Sequence, residues 1–403
     1  MIPVAEAMQI VREQTAPLKS GSIGLTQALG RILAEDIFAD TDLPPFDRSQ
    51  MDGYAVRAAD LESVPARLSI VGESIAGRGW HRELQAGEAV RIMTGAPVPA
   101  GADSVQQVEL TRELDEGKVV EILEAVGVGR SIVRRGNEIK SGDKVLSAGE
   151  RINAAMIAPL ASFGYATVSV GVQPRVTVLA TGSELVAVEQ QPGRDQIRDS
   201  NNYTIAAYAM RAGAVVDLLP LAADEPGLLK QQISLAAERS EMVITSGGVS
   251  MGVYDFTKPA LRELGAEIFF ERVALRPGKP TVFARLPNGT LVFGLPGNPV
   301  SVSVTFNLFA RASLLLLQGA SEVSLREEWA VLARSIKGSP DRESYLPGTL
   351  TTNQQGELLA TPLKWGGSSD FVAFARAAAL IVVPAGVKSL DEGARVRTVR
   401  LPG

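Results

Sequence analysis

Between residues 174 and 319, short apolar runs alternate with segments of helical period. Arg175-Val-Thr-Val-Leu-Ala180 is a short strand of the fully buried type. The pattern then predicts a helix over 203–211, a strand over 214–221, a helix over 226–238, a strand over 242–245 and a helix over 257–264. Strands near 267–275, 281–284 and 291–293 follow, and a long helix over 300–317 ends the run. Strands spaced by helices of about 10 to 15 residues predict βαβ units and a largely parallel sheet, whose ligands sit beyond the carboxyl ends of the strands.

The flanking regions have other textures. Residues 1 to about 45 look helical: Val4, Met8 and Val11 share one face, and Leu25-Thr-Gln-Ala-Leu29 begins a second helix. From about 46 to 150 the chain is rich in Gly, Pro and Val, with strand-like runs at 68–71 and 118–122 between turn signals, the mark of a small β-rich domain. Residues 154–162 look helical again, so the β-rich part reads as an insertion into a helical domain. The end of the chain returns to short strands (331–336, 379–383, 395–399), a small barrel or sandwich.

With 403 residues and roughly 150 residues per domain, the prior is two to three domains. Cysteine is absent and His81 is the one histidine, which excludes disulfides, thiolate metal sites, cysteine nucleophiles and two-histidine centres. Chemistry falls to carboxylates, Lys, Arg, hydroxyls and backbone amides, and any metal is a hard cation such as magnesium. His81, beside Trp80, reads as structural or surface. The net charge of −5 gives no basic field for nucleic acid. Two uncharged stretches, 152–174 and 286–310, are interrupted by Pro159, Gly164 and the Pro296-Gly297-Asn298-Pro299 turn. They read as soluble interior rather than as spans, which need about 20 apolar residues. With no signal-peptide pattern at the start, the expected location is cytoplasmic.

The unusual residues follow the expected strands. They are Thr181-Gly182-Ser183-Glu184-Leu185, Ala223-Asp224-Glu225-Pro226, Ser246-Gly247-Gly248-Val249-Ser250 with Asp255 beyond, Arg276-Pro277-Gly278-Lys279-Pro280, and Leu295-Pro296-Gly297-Asn298-Pro299. The Ser246–Ser250 loop suits an anion, since paired glycines let backbone amides approach a phosphate at a helix start; it is neither a Walker A loop nor a dinucleotide fingerprint. Arg276 and Lys279 are two cations on a proline-stiffened loop, either an anion clamp or a solvated pair. Glu184, Asp224 and Asp255 either share a hard cation or cap helices, and Asp199-Ser200-Asn201 also looks like a cap. Arg130, Arg134 and Arg135 beside Glu138 are an anion site or a solvated edge.

Taken in order, six motifs resemble the molybdopterin molybdenumtransferases, the MoeA and gephyrin E-domain family, over essentially the whole chain. They are Met51-Asp52-Gly53-Tyr54-Ala55, Ile92-Met93-Thr94-Gly95-Ala96-Pro97, Thr181 to Leu185, Ser246 to Asp255, Pro277-Gly278-Lys279-Pro280 and Gly294 to Pro299. The resemblance implies a multidomain α/β plus β protein: a helical and extended domain over 1–45 and 140–173, a β-rich domain over 46–139, a parallel α/β molybdopterin-binding domain over 174–320, and a C-terminal β-barrel over 321–403. It implies conversion of adenylylated molybdopterin and molybdate to molybdenum cofactor and AMP with Mg2+, in a homodimer whose site is shared between subunits. A molybdopterin adenylyltransferase is the implied substrate donor.

Carried over residue by residue, the catalytic set is Asp52, Thr94, Glu184, Asp224 and Lys279, with Glu184, Asp224 and Asp52 toward the metal. The substrate-binding set is Ser246, Gly247, Gly248, Ser250, Asp255, Arg276, Pro296, Pro299 and Glu138. Phosphates suit the Ser246–Ser250 amides with Lys279, and molybdate suits Arg276 and Thr94. Three positions depart from the family: Glu138 where Asp is usual, Pro347 where a barrel arginine is usual, and Arg276 where lysine is common. The alternatives are a tungstate-preferring paralogue, an adenylyltransferase-like enzyme and a non-catalytic scaffold.

Overall fold

The apolar run Arg175–Ala180 lies second in a six-stranded sheet ordered Val215–Leu218, Arg175–Ala180, Met242–Ser246, Leu291–Leu295, Val282–Arg285, Glu267–Phe270. The computed structural model describes residues 1–221, 226–249 and 256–402. The first four strands are parallel and the last two antiparallel. Helices Asn201–Arg211 and Pro299–Leu317 cover one face, and Pro226–Ala237 with Thr257–Glu263 the other. Strand residues alternate between these layers: Met242 and Ile244 join one core, Val243 the other. Burial on both faces is why the strands read as unbroken apolar runs. Phe283 and Phe293, both fully buried, stack with centroids 4.5 Å apart. Pro299–Leu317 has the length and hydropathy of a membrane span, but 89% of that window is buried inside the fold; a π-turn over Phe306–Ala310 lies within it.

This sheet belongs to a unit formed by Met1–Glu35, Ala148–Ile157 and Thr167–Gly403. Its C-terminal part settles the barrel-or-sandwich alternative. Strands Glu343–Thr352, Leu358–Pro362, Glu327–Leu332, Arg395–Arg400 and Ala379–Val383 pair in that order, and the last pairs back to the first. The result is a closed five-stranded barrel without a free edge. The strand expected at 331–336 runs over Glu327–Leu332, with Ile336–Lys337 a separate piece. The strand expected near 267–275 is also two pieces: Glu267–Phe270 stays in the α/β sheet, whereas Leu275–Arg276 pairs in parallel with barrel residues Glu343 and Ser344.

At the N-terminus, helix Val4–Gln14 buries Val4 and Val11 as their spacing predicts, with Ala7 buried between them and Met8 only half-buried; each valine contributes roughly 1.5 to 3 kcal/mol. The second helix expected from Leu25 is a three-residue 3-10 turn, Leu25–Gln27. Strand Ser20–Gly24 pairs with Thr167–Gly171, and Ile2 bridges to Val273, so this region is more extended than helical.

The other unit is Asp36–Ser147 with Ala158–Ala166. Its mixed sheet is ordered Ser104–Gln107, Gly53–Val56, Glu88–Ile92, Ala66–Ser74, Val119–Ile122, Thr111–Leu114. Tyr54, Val56, Leu68, Val120 and Ile122 form its main core. Trp80 packs where a side chain at Gly72 would lie, and His81 is exposed.

Candidate functional site

In the α/β sheet, Ala180, Ser246 and Leu295 lie side by side at the carboxyl edge. The loops beginning at Thr181, Gly247 and Pro296 therefore leave from one line. Thr181 N donates to Ser246 O at 3.1 Å and Gly247 N to Leu295 O at 3.2 Å. Gly247 has φ +90°, and a Cβ there would lie 2.5 Å from Thr181 O, so only glycine lets these loops close up. The Gly247 amide expected to face a phosphate is thus spent on Leu295.

Asn201, at the start of helix Asn201–Arg211, binds the same loops together. Its Nδ2 donates to Ser246 Oγ at 2.8 Å and to Gly297 O at 2.7 Å. Asp199 caps that helix, accepting from Asn202 N at 3.1 Å; burial holds its carboxyl above the usual aspartate range. Glu184, Ser246, Gly247, Asn298 and Pro299 line one cavity of about 690 Å³ with these residues. Pro296 is buried behind it, its carbonyl 3.5 Å from Ser246 Oγ. Gly248 has φ +61° and packs against Thr257 and Thr181. Asp224, Ser250 and Asp255 lie outside the described residues.

Arg276 and Lys279 line an adjoining cavity of about 760 Å³, which shares Asn298 with the first. The structure thus separates Lys279 from Ser246, which the sequence placed on one phosphate. Its loop is rigid: Lys279 O accepts from Val273 N at 3.0 Å and Thr281 N at 3.1 Å. Arg276 Nη1 donates to Gly338 O at 3.0 Å. The barrel supplies Lys337, Arg342 and Lys364, so five cations and, among the described residues, no carboxylate line this space. Pro347 lies in the same wall, and the barrel's own cations are what sequence reasoning missed. Asn298 Nδ2 donates to Ser368 Oγ at 2.9 Å, joining the two cavities at one side chain. A polar cavity beside a cationic one suits a substrate that meets an oxyanion.

In the β-rich unit, register explains a third feature. Gly53 pairs with Ile92, so Asp52 and Thr94 leave adjacent strands at the same end. A Cβ at Gly53 would come within 1.9 Å of Gln106 O. Asp52 Oδ1 accepts from Thr94 N at 2.6 Å and Thr94 Oγ1 at 2.8 Å. These two bonds hold the exposed Asp52 carboxyl below the usual aspartate range. Two arginines of the basic run nearby are paired, Arg134 with Asp47 and Arg135 with Asp42, while Arg130 is exposed; Glu138 pairs with Arg48 at 3.0 Å. Among the described residues no three His, Cys, Asp or Glu side chains gather as a metal site.

Comparison with known proteins follows the same three-part layout. The profile described as MoeA N-terminal region (domain I and II) matches residues 2–164, the probable molybdopterin binding domain 177–315, and the MoeA C-terminal region (domain IV) 329–401. The chain is 36% identical to the molybdopterin molybdenumtransferase of Bacillus subtilis, covering 99% of this chain and 94% of that protein. It is 36% identical to that of Haemophilus influenzae, covering 95% and 94%. The crystal structure of a moeA molybdopterin biosynthesis protein from Pyrococcus horikoshii is similar over 100% of both chains, at TM-score 0.82 and 31% identity. Matched in three successive parts and by relatives along nearly its full length, the chain belongs to the molybdopterin molybdenumtransferase (MoeA) family.

Proposed function

We propose that the protein inserts molybdenum into adenylylated molybdopterin, consuming molybdate and releasing AMP. The observation that carries this is the pair of cavities meeting at Asn298, one polar with Glu184 and Ser246, the other lined by five cations. The pterin and its phosphates occupy the first; molybdate, a dianion, is held in the second by Arg276 and Lys279. The Asn298 wall sets the distance between them. Proximity of this kind is worth several powers of ten in rate.

Magnesium would be held by Glu184 with Asp224 and Asp52, and by the substrate's phosphate oxygens. Of the two carboxylates lining the described cavity, Asp199 is engaged with the start of its helix and Glu184 is left, which suits an ion that keeps its waters and leans on phosphate. When bound it neutralises charge as the phosphoanhydride opens. The enzyme acts as a cytoplasmic homodimer that takes substrate from a molybdopterin adenylyltransferase, with Asp52 and Thr94 completing a site shared between subunits. No observation favours the tungstate, adenylyltransferase or scaffold readings.

The test combines purified protein, adenylylated molybdopterin, molybdate and magnesium. AMP and metallated pterin should appear together, stop on chelation and resume when magnesium is restored. Absence of AMP release under these conditions ends the proposal.

A further inference from the structure

Two large apolar side chains stand exposed around the polar cavity: Ile197 at 58% and Phe371 at 52%. Single exposed apolar residues are ordinary, but these come from distant parts of the chain to line one space. Phe371 opens the short helix Phe371–Phe374, which Asp370 fixes by accepting from Ala373 N at 3.1 Å and Gly366 N at 2.8 Å. Two acceptor residues, Asp199 and Asn201, also line the cavity, and the Asp199 carboxylate already accepts from the backbone of Asn202 and Asn201 and from the Asn202 side chain. Asp199 is 4% exposed. Asn201 has its orientation set, because its Nδ2 donates to the Gly297 carbonyl, and its Oδ1 is buried without a partner. A buried acceptor left unpaired is costly until a ligand N–H reaches it.

We propose that Phe371 and Ile197 clamp the pterin ring, while Asp199 and Asn201 accept from its 2-amino-4-oxo edge. This rests on the proposed substrate and names the residues that select it. The 2-amino-4-oxo pyrimidine end of a pterin is flat and conjugated with adjacent N–H donors, matching apolar faces at the rim and acceptors beside them. The barrel, through Phe371, thereby takes part in choosing the organic substrate as well as in holding the oxyanion.

In steady-state assays of the full-length protein, Phe371→Ala and Ile197→Ala should each raise KM for adenylylated molybdopterin about tenfold, the loss typical of one ring-stacking contact. KM for molybdate and kcat should stay unchanged, and Phe371→Tyr should restore the pterin KM. In parallel, fluorescence titration should show pterin binding about tenfold tighter than lumazine, which lacks the 2-amino group, as expected for one hydrogen bond to a charged acceptor. Asp199→Asn should abolish that preference without lowering Tm enough to unfold the protein at the assay temperature. Unchanged pterin KM in both alanine variants of an active enzyme, or equal binding of pterin and lumazine, overturns the clamp and leaves the proposed function standing. A wild-type protein that discriminates the two pteridines, loses pterin affinity in Phe371→Ala, yet releases no AMP, supports the clamp and overturns the function.

Discussion

Two basic clusters in this protein look alike in sequence and differ in what surrounds them. In the β-rich unit Arg134, Arg135 and Arg48 each have a carboxylate partner, Asp47, Asp42 and Glu138. In the other unit Arg276 and Lys279 share a cavity with Lys337, Arg342 and Lys364, and no described carboxylate lines it. The first cluster's charge is used to order its own loops. In the second, Arg342 leans on Asp341 at 3.4 Å, while Arg276, Lys279, Lys337 and Lys364 have no carboxylate partner among the described residues and keep their charge for something that arrives from solution. Where the acids lie, rather than how many bases there are, separates a scaffold from a binding site.

The largest test of this contrast is Lys279→Ala. It should lower kcat/KM for molybdate by about 10- to 100-fold, the range for a lost hydrogen bond to a charged group, in an AMP-release assay at varied molybdate. An equal loss in Arg134→Ala would erase the distinction. Arg134→Ala should instead cost about 0.2 to 1 kcal/mol of stability by denaturant titration at neutral pH. Asp47 is held below the usual aspartate range because the Arg135 amide and the Arg134 guanidinium outweigh the upward push of burial. The pair's contribution is therefore present above the ordinary aspartate pKa. It fades as pH falls through the lowered one, where the variant and parent should converge. The smallest effect is expected at Thr94→Val. Removing one of two bonds to Asp52 should raise that carboxyl toward its ordinary value, read by carbon NMR titration; no movement would mean the backbone amide alone sets it.

The α/β sheet was legible because its inner strands are buried on both faces and its helices keep a clear period, so elements such as Arg175–Ala180 needed no tertiary knowledge. The turn at Leu25–Gln27 was not legible as such. Leu-Thr-Gln-Ala-Leu has helix-forming residues, but Gly24 and Gly30, the latter at φ +79°, bracket a stretch too short to nucleate a helix. Leu275–Arg276 was misplaced because a strand's sequence does not name its partner, and its partner here is in the barrel. The motif residues around Ser246 and Lys279 were found, but their division between two cavities was not. Lys337, Arg342 and Lys364 are scattered over three separate barrel segments and meet only when the barrel closes. Asn201 was visible as part of a cap, with nothing to show that its amide would tie two loops together.

One pairing described above governs the order in which the chain is assembled. Ile2 donates to Arg272 O and accepts from Ala274 N, so the opening residues find their hydrogen-bonding partners only after some 270 more have been made. At about 5 to 20 residues per second, a ribosome needs on the order of tens of seconds for that. Until then the helix Val4–Gln14 emerges with Val4, Ala7 and Val11 uncovered, while the β-rich insert, nearly contiguous in sequence, already has its own core to collapse around. That helix waits for a strand region made some 270 residues later, and the exposed interval is when a nascent-chain chaperone has the most to hold.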